Sequence, residues 1–177
     1  MTKSIYIIIV FVVLLLILFG CMPTQSKTDY LRIHIRADSN NTADQSVKYA
    51  VKQAIVDYLT PYIAQCNTKS QAMVVVKQQL KNIENVCDKV LSQAGFSYKA
   101  TARLKQEDFP ERAYNNVVLP SGVYDALIIN LGSGQGNNWW CVVYPPLCFV
   151  EGTPTGGNAI VYRSKLLEII NNWKNSR

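Results

Sequence analysis

The sequence is poorly supplied with the groups that metal and acid–base chemistry need. Its 177 residues include one histidine, His34, and five cysteines, none in a CxxC pair. Zinc sites draw on several such ligands at short fixed spacings, so no metal centre is expected. Charge is also sparse: 17% of residues are Asp, Glu, Lys or Arg, and the net charge of +6 is spread without a run of either sign. That distribution disfavours wholesale disorder and a basic tail for nucleic acid. There is no internal repeat and no low-complexity segment. Glycines at 132, 134 and 136 have the look of a phosphate loop, but the following residues, NWWCVVYP, read as a strand. A phosphate cradle needs a helix N-terminus behind its glycines, whereas a hairpin loop that tolerates positive φ accounts for them directly. No nucleotide or other cofactor is expected.

What the chain has in excess is concentrated at one end. Residues 5–20 contain no charge and follow Lys3 and the amino terminus. Positive charge stays on the cytoplasmic side, so the residues beyond this run are expected to be translocated. The run is short for a membrane span, which takes about 17–25 residues, and long for the core of a cleaved signal. It ends in Leu18, Phe19, Gly20 and Cys21, which is similar to the bacterial lipoprotein signal, where the cysteine is acylated. Residues 1–21 are therefore read as a signal or membrane-anchor segment with Cys21 as a lipidation candidate; cleavage, lipidation and retention stay open. Residues 22–28 read as a polar linker, and residues 29–177 as a single exported domain tethered to a membrane, long enough to bury a core.

Within that domain, Tyr30 to Arg36 alternates Leu31, Ile33 and Ile35 with Arg32, His34 and Arg36, the period of a strand with two unlike faces. Thr42 to Gln45 fits a capping box ahead of a helical stripe from Val47 to Leu59 that Pro61 limits. Thr68 to Gln71 is a second box, opening a stripe from Ala72 to Ala94 that Gly95 ends as a left-handed cap. From Tyr98 to Lys105 the period returns to two, with Lys99, Thr101, Arg103 and Lys105 giving a polar, basic face. Residues 117–119, 123–131 and 139–144 are strand candidates, and Ser164 can cap a last helix. This order predicts an α+β fold, a mostly antiparallel sheet with helices packed on one face.

Two readings of the chemistry-bearing residues compete. Cys141 is a nucleophile and His34 a base, so a secreted cysteine hydrolase or amidase is one, if the sheet brings the two together. No third orienting group stands at a recognisable spacing. Cys141 and Cys148 bracket a Pro145-Pro146 corner; in an exported domain they are either a disulfide or two thiols. Trp139 and Trp140 should point to opposite faces of a regular strand, one into the core and the other available as an apolar anchor for a partner. The second reading is thus a non-catalytic binder. Its contact candidates are Asn138, Trp139, Trp140, Cys141, Tyr144, Pro145, Pro146 and Cys148, together with the basic trio Arg32, His34 and Arg36.

Two segments, LRIHIRADSNNTADQSVKYAVKQAIVDYL at 31–59 and RAYNNVVLPSGVYDALIINLGSGQGNNWWCVVYPPLCF at 112–149, resemble the stage II sporulation protein R family of endospore-forming bacteria. The resemblance spans roughly residues 29–150. It implies a signalling protein made in the forespore and exported into the space between the two septal membranes. There the family acts on a membrane-embedded aspartic protease, which then cleaves the precursor of the early mother-cell sigma factor. On that reading the protein is a trigger and not an enzyme.

Overall fold

The computed structural model describes residues 29–114, 117–148 and 159–175. The signal or anchor segment, Cys21 and the linker lie outside these residues. Among the described residues no helix is long and apolar enough to cross a membrane.

The chain order is β1 (Leu31–Arg36), α1 (Thr42–Ile63), α2 (Lys69–Gln93), β2 (Ala100–Phe109), β3 (Arg112–Tyr114), β4 (Val117–Leu119), β5 (Gly122–Leu131), β6 (Asn138–Tyr144) and α3 (Ala159–Asn175). This is the α+β class that the periodicities predict. Four strands form one sheet in the order β2-β5-β1-β6, and β3 pairs with β4 as a separate hairpin. β5 and β6 are consecutive and joined by a short turn, yet they do not pair. β1 lies between them, parallel to β5 and antiparallel to β6. With β2 antiparallel to β5, the sheet is mixed and mostly antiparallel.

The helix starts follow from side chains that satisfy the free backbone amides. α1 is capped by Asn41, whose Oδ1 accepts from the Asp44 amide at 2.8 Å. The box thus begins one residue before the expected Thr42, because Asn41 supplies the acceptor first. Pro61 falls in the last turn and the helix closes at Ile63. α2 starts at the expected box: Thr68 Oγ1 accepts from Gln71, and Gln71 Oε1 accepts from the Asn67 amide at 2.7 Å. It ends at Gly95, φ 85°, where the Phe96 amide reaches back to the Leu91 carbonyl at 2.9 Å, a Schellman ending. α3 begins at Ala159, upstream of Ser164.

The expected single helical face needs correction. α1 and α2 cover one face of the sheet, packing Val51, Ile55, Leu59, Ile83 and Leu91 against Ile33, Ile35, Leu127, Ile129 and Val143. α3 divides its side chains, Leu166 and Ile169 joining that core and Ile170 a second one. The second core lies on the opposite face and gathers Tyr30, Phe109, Leu119, Tyr124, Ile128 and Val142, with Tyr114 and Val117 of the hairpin against it. β1 is therefore covered on both faces and paired on both edges.

Candidate functional site

β1 carries its polar residues into the second core. Arg32 is fully buried, its guanidinium 4.3 Å from the Phe109 ring centroid and 4.9 Å from that of Tyr124, with Nη2 donating to the Tyr114 hydroxyl at 2.9 Å. Among the described residues its Nε and Nη1 have no hydrogen-bond partner. Two residues along, His34 is also buried, and its Nδ1 lies 2.6 Å from Glu107 Oε1. Arg36 Nη2 donates to the same oxygen at 2.8 Å, and Lys105 Nζ lies 2.9 Å from Glu107 Oε2. One carboxylate thus serves three basic side chains. Burial holds the His34 imidazole below its ordinary pKa, aided by the Arg36 charge; the Asn138 and Glu107 side chains pull the other way without overcoming it. Burial alone would raise the Glu107 pKa, but its bonds to Lys105 and His34 and the Arg36 charge bring it below the usual value. The Trp140 ring lies 5.3 Å from that of His34, and the Arg112 guanidinium sits over Trp140 at 4.4 Å.

At the end of the same strand a second arrangement forms from the turn after β1 and the glycine loop before β6. Gly136 N donates to the Ala37 carbonyl at 2.8 Å, Ser133 N to Asp38 Oδ1 at 2.6 Å, and Asn137 N to Asn40 Oδ1 at 2.6 Å. A Cβ on Gly136 would stand 2.2 Å from the Ser39 carbonyl oxygen, and one on Gly132 would strike Asp38. Close approach therefore requires glycine here, while φ of 56° at Gly132 and 66° at Gly134 favours it on conformational grounds. Beneath the interlocked turns, Lys48 is buried and donates to Gln45 Oε1 at 2.7 Å and to the Asn137 carbonyl at 3.0 Å. Burial lowers its pKa. Buried Asp44 accepts from Ser39 Oγ, from the Tyr98 hydroxyl at 2.6 Å and from Asn41 Nδ2 at 2.8 Å, bonds that hold its carboxyl below the usual range.

The sheet register decides what the candidate residues can do together. Cys141 lies opposite Ile33, and His34 lies opposite Trp140. Because successive side chains alternate, Cys141 enters the helix-covered core while His34 enters the other. Cys141 is moreover disulfide-bonded to Cys148, with their Cα atoms 6.3 Å apart. The nucleophile–base pair of the hydrolase reading does not form.

Burial also thins the list of contact candidates. Arg32, His34, Cys141, Tyr144, Pro145 and Pro146 are buried, Arg36, Trp139, Trp140 and Cys148 are half-buried, and Asn138 is exposed. The two tryptophans do lie on opposite faces, Trp139 against the helix-covered core and Trp140 against the aromatic one, but each is half-buried. The expectation of one core ring and one anchor gives way to two rings flanking an edge strand.

Sequence reading missed Glu107, Phe109, Tyr114, Tyr124, Asp44 and Lys48. A usable signal existed for two of them: the alternation of Arg103 and Lys105 runs on unbroken through Glu107 to Phe109 in β2. Lys48 gave none, being a lysine beside an apolar helical stripe. Among the described residues no group of three His, Cys, Asp or Glu side chains is arranged to hold a metal ion.

Comparison with known proteins agrees with the motifs that meet at this end of the molecule. The family model described as stage II sporulation protein R matches residues 27–153. Stage II sporulation protein R of Bacillus subtilis (strain 168) is 30% identical over 129 residues, covering 73% of this chain and 58% of that protein. The chain thus spans somewhat over half the length of this curated relative. No solved structure matches. The chain belongs to the stage II sporulation protein R family.

Proposed function

From membership of the stage II sporulation protein R family, we propose that this protein is a forespore-made signal that is exported into the space between the septal membranes and held there by residues 1–21. It activates a membrane-embedded aspartic protease, which cleaves the precursor of the early mother-cell sigma factor. The observation that supports this reading is the locked pair of turns, residues 37–41 and 132–137, which bring the two family-like segments together and present Asn138, Trp139 and Trp140 at the start of the edge strand. A rigid, partly apolar edge of this kind suits a binding surface, since ordering entropy is already spent before contact. The contact needs no catalytic group. It needs only tighter binding to the active state of the protease than to the inactive one, and a few kcal/mol of difference moves such an equilibrium from mostly off to mostly on. Tethering opposite a second membrane raises the local concentration further.

Co-expression of precursor, protease and this chain in a non-sporulating host, omitting each in turn, tests the proposal. Processing is expected only with all three. Asn138→Ala should reduce processing while the purified variant keeps its helical signal and melting temperature; Trp140→Ala should reduce processing while still folded by its helical signal, with a lower melting temperature because its ring packs on His34. Processing without the protease would overturn the proposal.

A further inference from the structure

The outer edge of β2 is treated in two different ways along its length. The Ala100 amide donates to Asp88 Oδ1 at 2.8 Å and the Ala102 amide to Glu84 Oε1 at 3.0 Å, both carboxylates reaching over from α2. These bonds fix the parity of the strand: with an unbroken antiparallel register to β5, even-numbered residues of β2 point their backbone groups away from the sheet. Leu104, Gln106 and Asp108 follow the same parity, and no side chain among the described residues caps their amides. Edge strands with open amides are templates for another strand, and proteins commonly cover them. Here the cover stops halfway.

Beside the uncapped half, a groove of about 680 Å³ opens between α2 and β2, lined by Met73, Val74, Leu80 and Leu104 together with Lys77 and with Asp125, whose carboxylate is paired with Lys69. Val74 is 57% exposed. On the opposite side of the same edge stand exposed Arg103 and Lys105. A strand added here would alternate its side chains, one set entering the apolar groove under α2 and the other lying beside Arg103 and Lys105. We infer that the Leu104–Asp108 edge of β2 and the adjoining α2 groove form a docking site for an extended segment of a partner protein in which apolar and acidic residues alternate. The site lies on the strand at the far side of the sheet from β6, so it is separate from the surface proposed above and does not depend on that proposal.

The test uses the full-length chain in detergent micelles and a fluorescein-labelled acetylated hexapeptide, Glu-Val-Glu-Val-Glu-Val, read by anisotropy. Saturable binding is expected, weakened about tenfold or more when alternate peptide amides are N-methylated, when lysine replaces glutamate in the peptide, or when the protein carries Val74→Asp. Lys77→Glu should weaken binding several-fold. Val74 and Lys77 are exposed, and circular dichroism should show both variants folded. Absence of saturable binding up to millimolar peptide would overturn the inference, as would equal affinity for the N-methylated peptide, indifference to Val74→Asp, or sedimentation as a dimer that the peptide fails to dissociate.

Discussion

On the face beneath α1 and α2, β1 offers Leu31, Ile33 and Ile35 to a core of Val, Ile and Leu side chains. On the other face the same six residues offer Arg32, His34 and Arg36 to aromatic rings and one carboxylate. Aliphatic burial is nondirectional and contributes roughly in proportion to the apolar area removed from water. A buried guanidinium or imidazole contributes only when its partners are in place, and otherwise it costs. The first face therefore carries stability, and the second carries constraint: Glu107, Tyr114 and the rings of Phe109 and Tyr124 have to arrive at fixed positions.

The contrast can be broken by mutation. Leu91→Ala, in the aliphatic core, should lower unfolding free energy by about 2–5 kcal/mol through lost transfer energy and residual cavity, read from denaturant midpoints at constant m-value. Reducing the Cys141–Cys148 disulfide, which ties β6 to that same core, should cost about 2–3 kcal/mol for so short a loop, measured by melting with and without reductant. On the polar face, Glu107→Gln should cost about 1–3 kcal/mol, since it removes the negative charge and one of the two oxygens that serve His34, Arg36 and Lys105. Arg32→Met should change stability by less than about 1 kcal/mol, because it removes two unsatisfied donors together with the cation–ring contacts. A loss as large as that of Leu91→Ala would show that the guanidinium holds this face together and would erase the contrast.

The smallest effect expected is in pH. The folded-state pKa of His34 is depressed, so the unfolded chain takes up a proton first as pH falls below about 6.5. Stability conferred by this group is complete above that value and declines as pH drops toward the folded pKa. Glu107, whose folded pKa is also depressed, loses its contribution at lower pH still. Melting temperature should thus fall between pH 7 and 5, and His34→Gln should flatten that part of the curve. A rise in stability on acidification would contradict the assignment.

How much of this was readable beforehand follows from what periodicity can encode. The alternation in β1 and the boxes read at Thr42–Gln45 and Thr68–Gln71 placed the first strand and two helices to within a residue or so, because local hydrogen bonding and face patterning are local properties. Strand neighbours are not. Nothing in Val123–Leu131 or Trp139–Tyr144 signals that β1 enters between them, and the short glycine turn argued for a direct hairpin. The basic trio read as a surface for the same reason: its cover comes from Phe109, Tyr114, Tyr124 and Leu119, all far along the chain. For the candidate site, the residues of β1 and β6 were legible and their facing was not, so Cys141 and His34 could be set side by side on paper although the register puts them on opposite sides of the sheet.

The central place of β1 also has a bearing on time. This strand is the first of the described elements to leave any machine that handles the chain from its amino end, and it is among the last whose hydrogen bonds can be completed, since both partners lie beyond residue 121. Helices α1 and α2 can associate early, but they have no finished sheet to rest on until β5 and β6 emerge. Such distant pairing makes folding slow relative to local structure formation, and the domain should remain a pliable thread until nearly all of it has been delivered.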